Sequence, residues 1–208
     1  MRLGMVIDLK RCIGCYGCLL SCKAEHGTPP GVFFARVVKH EEGVYPTVQQ
    51  LFLPILCNHC QEPPCVDVCP TGASFVWEDT GTVDVDPDKC VGCRTCMMGC
   101  PYGNRYANIQ QQHYFADGPT PYEQKRTLRH QTDVVMKCNL CRDKTWDAQK
   151  QKVTGKDPAC VSNCPTVARI FGDLDDPSSE VSRLIKERNG FALHPELGTR
   201  PSVYYLPA

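Results

Sequence analysis

The sequence has no surplus of either charge. Lysine and arginine together number 23, and so do aspartate and glutamate, which gives a formal net charge of zero. A nucleic-acid-binding protein usually shows a basic surplus, so the balance argues against that class of partner. No run of 18 or more apolar residues occurs, so a direct membrane span is not expected. Residues 1–8 lack a charged leader followed by a long apolar run, so a secretory signal is not expected either.

Ordinary core-forming residues are also scarce. The hydrophobic class makes up 42% of the 208 residues, but it includes 16 cysteines. Without the cysteines, only about a third of the chain remains to fill a core. We therefore predict that the chain is held together by something that its thiols bind.

The cysteines form four groups of four, with none left over: Cys12, Cys15, Cys18 and Cys22; Cys57, Cys60, Cys65 and Cys69; Cys90, Cys93, Cys96 and Cys100; and Cys138, Cys141, Cys160 and Cys164. Disulfides suit short secreted scaffolds, and zinc ribbons need two cysteines in each knuckle rather than three at i, i+3 and i+6. The first and third groups read Cys-x2-Cys-x2-Cys-x3-Cys, the spacing of bacterial two-cluster ferredoxins. The pattern favours iron–sulfur clusters over both alternatives.

The spacing has a local physical reason. Three cysteines separated by two residues let one tight loop wrap a cubane, while the fourth lies beyond the loop and ligates the neighbouring cluster. Groups two, three and four end in Cys-Pro, where proline fixes the backbone and offers no amide that needs a partner. Applied throughout, this crossing rule predicts four clusters with these ligands: Cys12, Cys15, Cys18 and Cys164 (cluster one); Cys22, Cys138, Cys141 and Cys160 (cluster two); Cys57, Cys60, Cys65 and Cys100 (cluster three); and Cys69, Cys90, Cys93 and Cys96 (cluster four).

The order of the groups along the chain predicts an α+β fold of two ferredoxin-like two-cluster modules, one inserted in the other. Groups two and three are contiguous and define an inner module, residues 54–109. It includes two short predicted strands, Ser74–Glu78 and Thr82–Val85, in which apolar and polar residues alternate, joined by a turn. Groups one and four define an outer module, residues 1–53 and 110–175, which must close in space. Residues 176–208 are expected to form a C-terminal helix and a tail that contacts a partner.

Further elements are predicted outside the cysteine loops. Two runs are strand-like, Val32–Val38 and Thr47–Leu53, whereas Tyr102–Lys137 is interpreted mostly as an excursion loop. The C-terminal helix is expected to begin with Asp176 as its cap and Pro177 at its first position, and to end at Asn189-Gly190. Its apolar stripe, formed by Val181, Leu184 and Ile185, is expected in the core.

Predictions can also be made for several single residues outside the ligand sets. His59 is interpreted as a packed or exposed loop histidine in preference to a group that tunes a cluster. Lys23, Lys137 and Arg142 adjoin cluster ligands, where they either offset cluster charge or lie solvated at the surface. Tyr204, Tyr205 and Leu206 are expected to be covered by a partner subunit. No catalytic residues are predicted, because no nucleotide-binding glycine loop and no acid/base pair stands above background.

Beyond the cysteines, several motifs support a resemblance: Gly4–Asp8 before the first group, Cys57–Cys65, Cys69–Ala73, Cys100–Tyr102, Gly172–Pro177, Pro195–Pro201 and Tyr204-Tyr205. In these, the chain resembles the electron-transfer subunit of the molybdopterin oxidoreductases related to dimethyl sulfoxide, polysulfide, thiosulfate, tetrathionate and arsenate reductases. The resemblance covers essentially the whole chain. Its motifs are shared by enzymes with different substrates, so it implies a role and not a substrate.

The resemblance implies a partner on each side of a relay for single electrons in anaerobic respiration. One partner is a large catalytic subunit with a molybdenum or tungsten bis-pterin cofactor, nearest the cluster of the first group. The other is a membrane subunit that exchanges electrons with quinone, nearest the cluster of the third group. Some relatives carry tryptophan and a three-iron cluster at the position of Cys93, so cysteine here implies four [4Fe–4S] clusters.

The resemblance also carries expectations about location, and it leaves alternatives open. The chain is expected at the membrane through its partners, on the periplasmic face after export together with the catalytic subunit, with a cytoplasmic location as the alternative. Two other functions belong to different classes of complex. One is the iron–sulfur subunit of a soluble molybdenum enzyme, such as a transhydroxylase, and the other is a polyferredoxin partner of a hydrogenase or formate dehydrogenase.

Overall fold

The computed structural model describes residues 1–208. It contains short helices and short strands in alternation, which confirms the predicted α+β class. The strands are β1 Leu3–Asp8, β2 Ala35–Glu42, β3 Gln49–Leu56, β4 Ser74–Val76, β5 Val83–Val85, β6 Tyr106–Asn108, β7 Val134–Met136, β8 Trp146–Asp147, β9 Lys152–Val153, β10 Arg169–Asp173 and β11 Val203–Leu206. The helices are α1 Gly17–His26, α2 Pro64–Asp67, α3 Thr95–Met98, α4 Pro121–Arg126, α5 Arg142–Thr145, α6 Ala159–Ser162 and α7 Glu180–Glu187, with a 3-10 turn at Pro195–Leu197. None of the helices has the length and apolar character needed to cross a bilayer.

A three-stranded sheet of order β10-β1-β11 holds the chain ends together. Strand β1 is its centre, antiparallel to β10 and parallel to β11. All six residues of β1 are buried. The sequence of this strand is almost entirely apolar, as expected for a strand that is covered on both faces. The first cysteine group follows β1, and the last cysteine precedes β10 by five residues, so this sheet brings groups one and four side by side.

The C-terminal tail is part of this sheet, and the expectation that a partner covers it is wrong for Tyr205 and Leu206. Both residues are fully buried within the chain. The Tyr205 hydroxyl donates a hydrogen bond of 2.9 Å to the carbonyl oxygen of Pro54. The pairing of Tyr205 with Ile7 spans almost the whole chain, which is why the local sequence of the tail could not predict it.

The predicted hairpin forms, and the two strand-like runs pair as a second hairpin that was not predicted. Strands β2 and β3 pair from Ala35 opposite Leu56 to Glu42 opposite Gln49, so both lie about three residues later than predicted. Strands β4 and β5 pair as predicted but are shorter. Their turn closes through the Gly81 N–H, which donates to the Trp77 carbonyl oxygen at 2.8 Å.

The segment predicted mostly as an excursion loop contains regular structure. Its two ends pair as β6 and β7, and α4 lies between them. Helix α4 begins with a capping box, in which the Thr120 side chain accepts from the Glu123 N–H and the Glu123 carboxylate accepts from the Thr120 N–H. The loop interpretation missed this helix although the Thr-Pro-x-Glu signal is in the sequence.

The C-terminal helix α7 begins three residues later than predicted. Ser179 is its N-cap, accepting a hydrogen bond from the Ser182 N–H, and Asp176 is not. Asp176 instead accepts from the N–H and hydroxyl of Ser178 in the preceding turn. The apolar stripe lies in the core as predicted: Val181 is fully buried, and Leu184 and Ile185 pack against the same cluster.

The Ser179→Ala variant is expected to lower the free energy of unfolding by about 1 kcal/mol, because an N–H at the helix start loses its acceptor. For a chain of this length the expected fall in the thermal midpoint is about 2–4 °C, measured by circular dichroism on the iron-loaded protein. The matched control is Asp176→Ala. Equal falls for both variants would contradict the assignment of Ser179 as the cap.

Four short helices carry cysteines and pack in two pairs. Helix α1 carries Cys18 and Cys22 and packs against α6, which carries Cys160. Helix α2 carries Cys65 and packs against α3, which carries Cys96. The helix of group one therefore contacts the helix of group four, and the helix of group two contacts the helix of group three.

Candidate iron–sulfur centres

The four Cys-x2-Cys loops share one backbone feature. The residue just before the second cysteine has a positive φ in every loop: Gly14 (65°), His59 (43°), Gly92 (65°) and Leu140 (55°). A left-handed residue at this point folds successive N–H groups into a concave nest, a geometry that suits anionic sulfur centres. Four separate sequences therefore place a left-handed residue at the same point before the second cysteine.

Glycine is required at two of these positions for a second reason. A Cβ atom built on Gly92 would lie 2.2 Å from the carbonyl oxygen of Asp133, and one on Gly14 would lie 2.2 Å from the Phe52 ring. Both distances are far inside van der Waals contact. Neighbouring backbone or ring atoms therefore pack directly onto the loops.

The Cys-Pro segments repeat in the same way. In two of them the cysteine sulfur accepts a backbone N–H, from Ser74 to Cys69 and from Ala168 to Cys164, each at 3.3 Å. Burial acts to raise the pKa of Cys69, but the N–H and hydroxyl donors around its sulfur outweigh burial and hold that pKa below its ordinary value. The same balance lowers the pKa of Cys164. Both sulfurs are thus prepared to act as thiolates, the form that ligates metals.

Two open cavities are lined by cysteines. One cavity of about 330 Å³ is lined by Cys12, Cys15, Cys18 and Cys164, and another of about 300 Å³ by Cys69, Cys90, Cys93 and Cys96. Every one of the sixteen thiols is free of disulfides. No three metal-ligating side chains converge closely enough for a single ion. Four soft sulfurs around one cavity suit a cubane, in which each sulfur ligates a different iron.

The other eight cysteines form two buried neighbourhoods. Burial raises the pKa of Cys22, and the charges of Cys138, Cys160 and Cys141 raise it further. Burial first, and then the nearby Cys57, raises the pKa of Cys60 to about 12, with Cys65 and Cys100 also adjacent. Ionised sulfurs at such positions need positive charge beside them, which iron supplies. Each of the four expected ligand sets is therefore a set of neighbours in space, and its role as a cluster site remains a prediction.

Two cations next to cysteine ligands are buried, so the solvated-surface alternative is wrong for both. The Lys137 ammonium donates to the carbonyl oxygens of Val83 and Cys138. The Arg142 guanidinium donates to Asp79 at 2.6 Å. Val83 lies 54 residues from Lys137, and Asp79 lies 63 residues from Arg142. Because the partners are so distant in the sequence, the residues next to each cation could not indicate that it is buried.

Lys23 is half-buried near the end of α1, and His59 is buried within its loop. The Lys23 ammonium donates to the carbonyl oxygens of Thr28, Pro29 and Val32, and burial lowers its pKa to about 8. The His59 ring is fully buried and its Nδ1 accepts the Val83 N–H at 3.1 Å. The interpretation of His59 as a packed residue agrees with this contact.

Three groups that touch or approach cysteine sulfurs were missed by the sequence analysis. The Arg105 guanidinium donates to the Cys65 sulfur at 3.0 Å, and the His26 ring nitrogen Nε2 lies 3.1 Å from the Cys141 sulfur. Arg169 lines the cavity formed by the ligand set of cluster one. For the two arginines a signal existed, since each follows a Cys-Pro cysteine by five residues.

Comparison with known proteins decides the family. A 4Fe-4S dicluster domain matches residues 48–117, and a 4Fe-4S binding domain matches residues 9–25. A subunit of the sulfite dehydrogenase of Allochromatium vinosum is 42% identical, over 99% of this chain and 83% of its own length. The chain belongs to the iron–sulfur subunits of the molybdopterin oxidoreductase family.

Two further relatives support the same family assignment. The arsenate respiratory reductase iron-sulfur subunit of Shewanella sp. strain ANA-3 is 38% identical, over 99% of this chain and 96% of its own length. A subunit of the selenate reductase of Mesobacillus selenatarsenatis is 37% identical, over 97% of this chain and 70% of its own length. As a member of this family the chain is an electron-transfer subunit that carries [4Fe–4S] clusters and works with a catalytic partner.

Proposed function

We propose that this chain carries four [4Fe–4S] clusters on the four ligand sets given above. It relays single electrons between a molybdenum or tungsten bis-pterin catalytic subunit and a membrane quinone-reactive subunit in anaerobic respiration. One observation carries the proposal: sixteen cysteines form four sets of neighbours, and each Cys-x2-Cys loop has a left-handed residue before its second cysteine. When bound, each cluster accepts and releases one electron at a time.

Packing and charge between the sets support a linear order. Cys18 of set one and Cys160 of set two lie in the same core cluster, and both raise the pKa of Arg169 against the effect of its burial. Cys57 of set three lies in that cluster with Cys138 of set two, whose pKa is raised by burial first and then by Cys160 and Cys57. Cys65 of set three and Cys96 of set four lie together in a second core cluster, and both raise the pKa of Arg105 against the effect of its burial. The order one, two, three, four follows, and it agrees with two modules in which residues 54–109 are inserted between residues 1–53 and 110–175.

Solvent exposure supports the same order. The two exposed cysteines, Cys15 and Cys93, belong to the first and last sets, whereas no cysteine of the middle sets is exposed. Buried inner sites and open end sites are what a relay between two partners requires. Electrons enter and leave at the ends, and protein excludes water from the middle.

The first and the last ligand sets each present apolar side chains at equivalent positions, one residue after the first cysteine of the loop and two residues after the third. At the first end Ile13 and Leu20 are 59% and 63% exposed, and at the last end Val91 and Met98 are 66% and 88% exposed. Exposed apolar residues around a functional site mark an interaction surface. By its resemblance to the family, we assign the first end to the catalytic subunit and the last end to the membrane subunit.

The matching end positions make a paired test. The Leu20→Asp variant is expected to reduce co-purification of the catalytic subunit at least tenfold, because it places a charge in an apolar contact. It is expected to leave binding to the membrane subunit unchanged when that subunit is tested in the absence of the catalytic subunit. Met98→Asp is expected to do the reverse. Each variant is the control for the other, measured by affinity capture from the native host. Equal effects of both variants on one partner would contradict the assignment.

The cluster count has a direct test. The anaerobically purified chain is expected to contain four iron atoms and four sulfide ions for each of four clusters, measured by metal and sulfide analysis. Oxidised [4Fe–4S] clusters are silent in EPR, so the undamaged oxidised protein should show no stoichiometric three-iron signal. Such a signal, or an iron content that fits fewer clusters, would overturn the proposal of four [4Fe–4S] clusters.

We also place the assembled complex on the periplasmic face, with export directed by the catalytic subunit. Labelling of intact cells with a membrane-impermeant lysine reagent tests this location. Labelling of the exposed lysines, Lys89 and Lys150 among them, is expected in intact cells. Labelling only after lysis would place the chain in the cytoplasm.

A further inference from the structure

Two buried arginines occupy equivalent positions in the two halves of the chain. Arg105 follows Cys100 by five residues and Arg169 follows Cys164 by five residues, each in a Cys-Pro-x-x-x-Arg segment. Arg105 is 4% exposed and Arg169 is 2% exposed. Arginine is almost never this deeply buried unless it is paired, so each guanidinium needs a partner.

Arg105 lies between the third and fourth ligand sets. One of its terminal nitrogens donates to the Cys65 sulfur at 3.0 Å, and the other donates to the Ser74 hydroxyl. Burial acts to lower the pKa of Arg105, but Cys65, Cys96 and Cys57 outweigh burial and raise the pKa. Arg105 thus bridges two sets within one helix pair.

Arg169 occupies the corresponding place between the first and second sets. It lines the cavity formed by the first set. Burial acts to lower its pKa, but Cys160 of the second set and Cys18 of the first outweigh burial and raise the pKa. Its Nη1 also contacts the Met5 sulfur at 3.7 Å, which fixes the guanidinium against the central sheet.

Neither guanidinium forms an ion pair with a carboxylate. Arg142, the other arginine of similar burial, is paired with Asp79. The Arg105 Nε and the Arg169 Nη2 are buried and have no protein acceptor. An unpaired buried charge is strongly unfavourable, so the counter-charge must come from thiolates and from the anionic clusters they hold.

We propose that Arg105 and Arg169 set the reduction potentials of the clusters in pairs, Arg105 for clusters three and four and Arg169 for clusters one and two. Each added electron makes a thiolate-ligated cluster more negative, and a fixed cation in a dry site favours that reduced form. Removal of the cation therefore favours the oxidised form. This inference rests on the proposed four-cluster function.

The test is an EPR-monitored redox titration of the iron-loaded full chain and its Arg105→Gln and Arg169→Gln variants. Arg105→Gln is expected to move two of the four midpoint potentials to more negative values. The expected shift is at least a tenfold change in the ratio of reduced to oxidised cluster, which is about 59 mV for a one-electron couple. Arg169→Gln is expected to move the other two, so each variant is the control for the other.

Unmoved potentials in fully loaded variants would overturn the inference, and so would two variants that move the same pair. A wild-type chain with fewer than four clusters would instead contradict the proposed function. If a variant fails to retain iron, the wild-type chain with arginine labelled by 15N in the guanidinium group gives the answer. Pulsed EPR of its reduced clusters is expected to show coupling to guanidinium nitrogen, and the lack of that coupling would also overturn the inference.

Discussion

Removal of iron is expected to abolish the cooperative thermal unfolding of this chain. Nine of the 31 buried hydrophobic residues are cysteines, and five cysteines belong to the largest core cluster of 16 residues. Without iron these thiols have no bonds that join the loops to one another, and the free energy of metal binding is lost from the folded state. Circular dichroism during heating, before and after anaerobic oxidation and chelation, measures the change.

Recovery provides the control for this experiment. Addition of iron and sulfide under reducing conditions is expected to restore both the clusters and the transition, which separates loss of iron from damage to the chain. A chelated chain that still melts cooperatively at the same temperature would show that the protein core alone stabilises the fold.

Truncation of Tyr205 is expected to destabilise the iron-loaded chain strongly. Tyr205 is fully buried in the largest core cluster, and its hydroxyl donates to the buried carbonyl oxygen of Pro54. Tyr205→Ala leaves a cavity and an unpaired acceptor, at a cost of about 3–5 kcal/mol. The thermal midpoint of the iron-loaded protein is expected to fall on the order of 10 °C.

Tyr205→Phe is the matched control, because it keeps the ring and removes only the hydroxyl. Its expected cost is about 1 kcal/mol. If Tyr205→Ala changes the midpoint no more than Tyr205→Phe does, the tail does not belong to the core of the isolated chain. In that case a partner subunit would have to supply its burial.

The sequence was most informative where structure is local. The distance from Cys90 to Cys100 sets one loop and one short helix, and the hairpin of β4 and β5 depends on residues within a dozen positions. The class of cofactor follows from the same spacing. No long-range contact was needed for these predictions, so they did not depend on the rest of the chain.

The features that the sequence did not predict are mostly long-range. Strand β11 pairs with β1, about 200 residues earlier in the sequence, and the residues of neither strand indicate which strand it pairs with. Lys137 is charged, and nothing near it in the sequence indicates that it is buried. Its ammonium group donates a hydrogen bond to a carbonyl oxygen 54 residues away. Arg105 and Arg169 were missed because a single arginine has no periodicity, and only the comparison of two Cys-Pro segments reveals the repeat.

The position of β1 has a consequence for biosynthesis. Helices α2 and α3 and the loops around them leave the ribosome within one short stretch, so that pair can close early. Strand β1 precedes both of its neighbours in the sequence, so it has no partner strand until β10 and β11 have emerged. A nascent chain therefore exposes this strand, which is buried throughout in the folded protein, until β10 and β11 have been made, and an exposed apolar strand without partners is prone to aggregate.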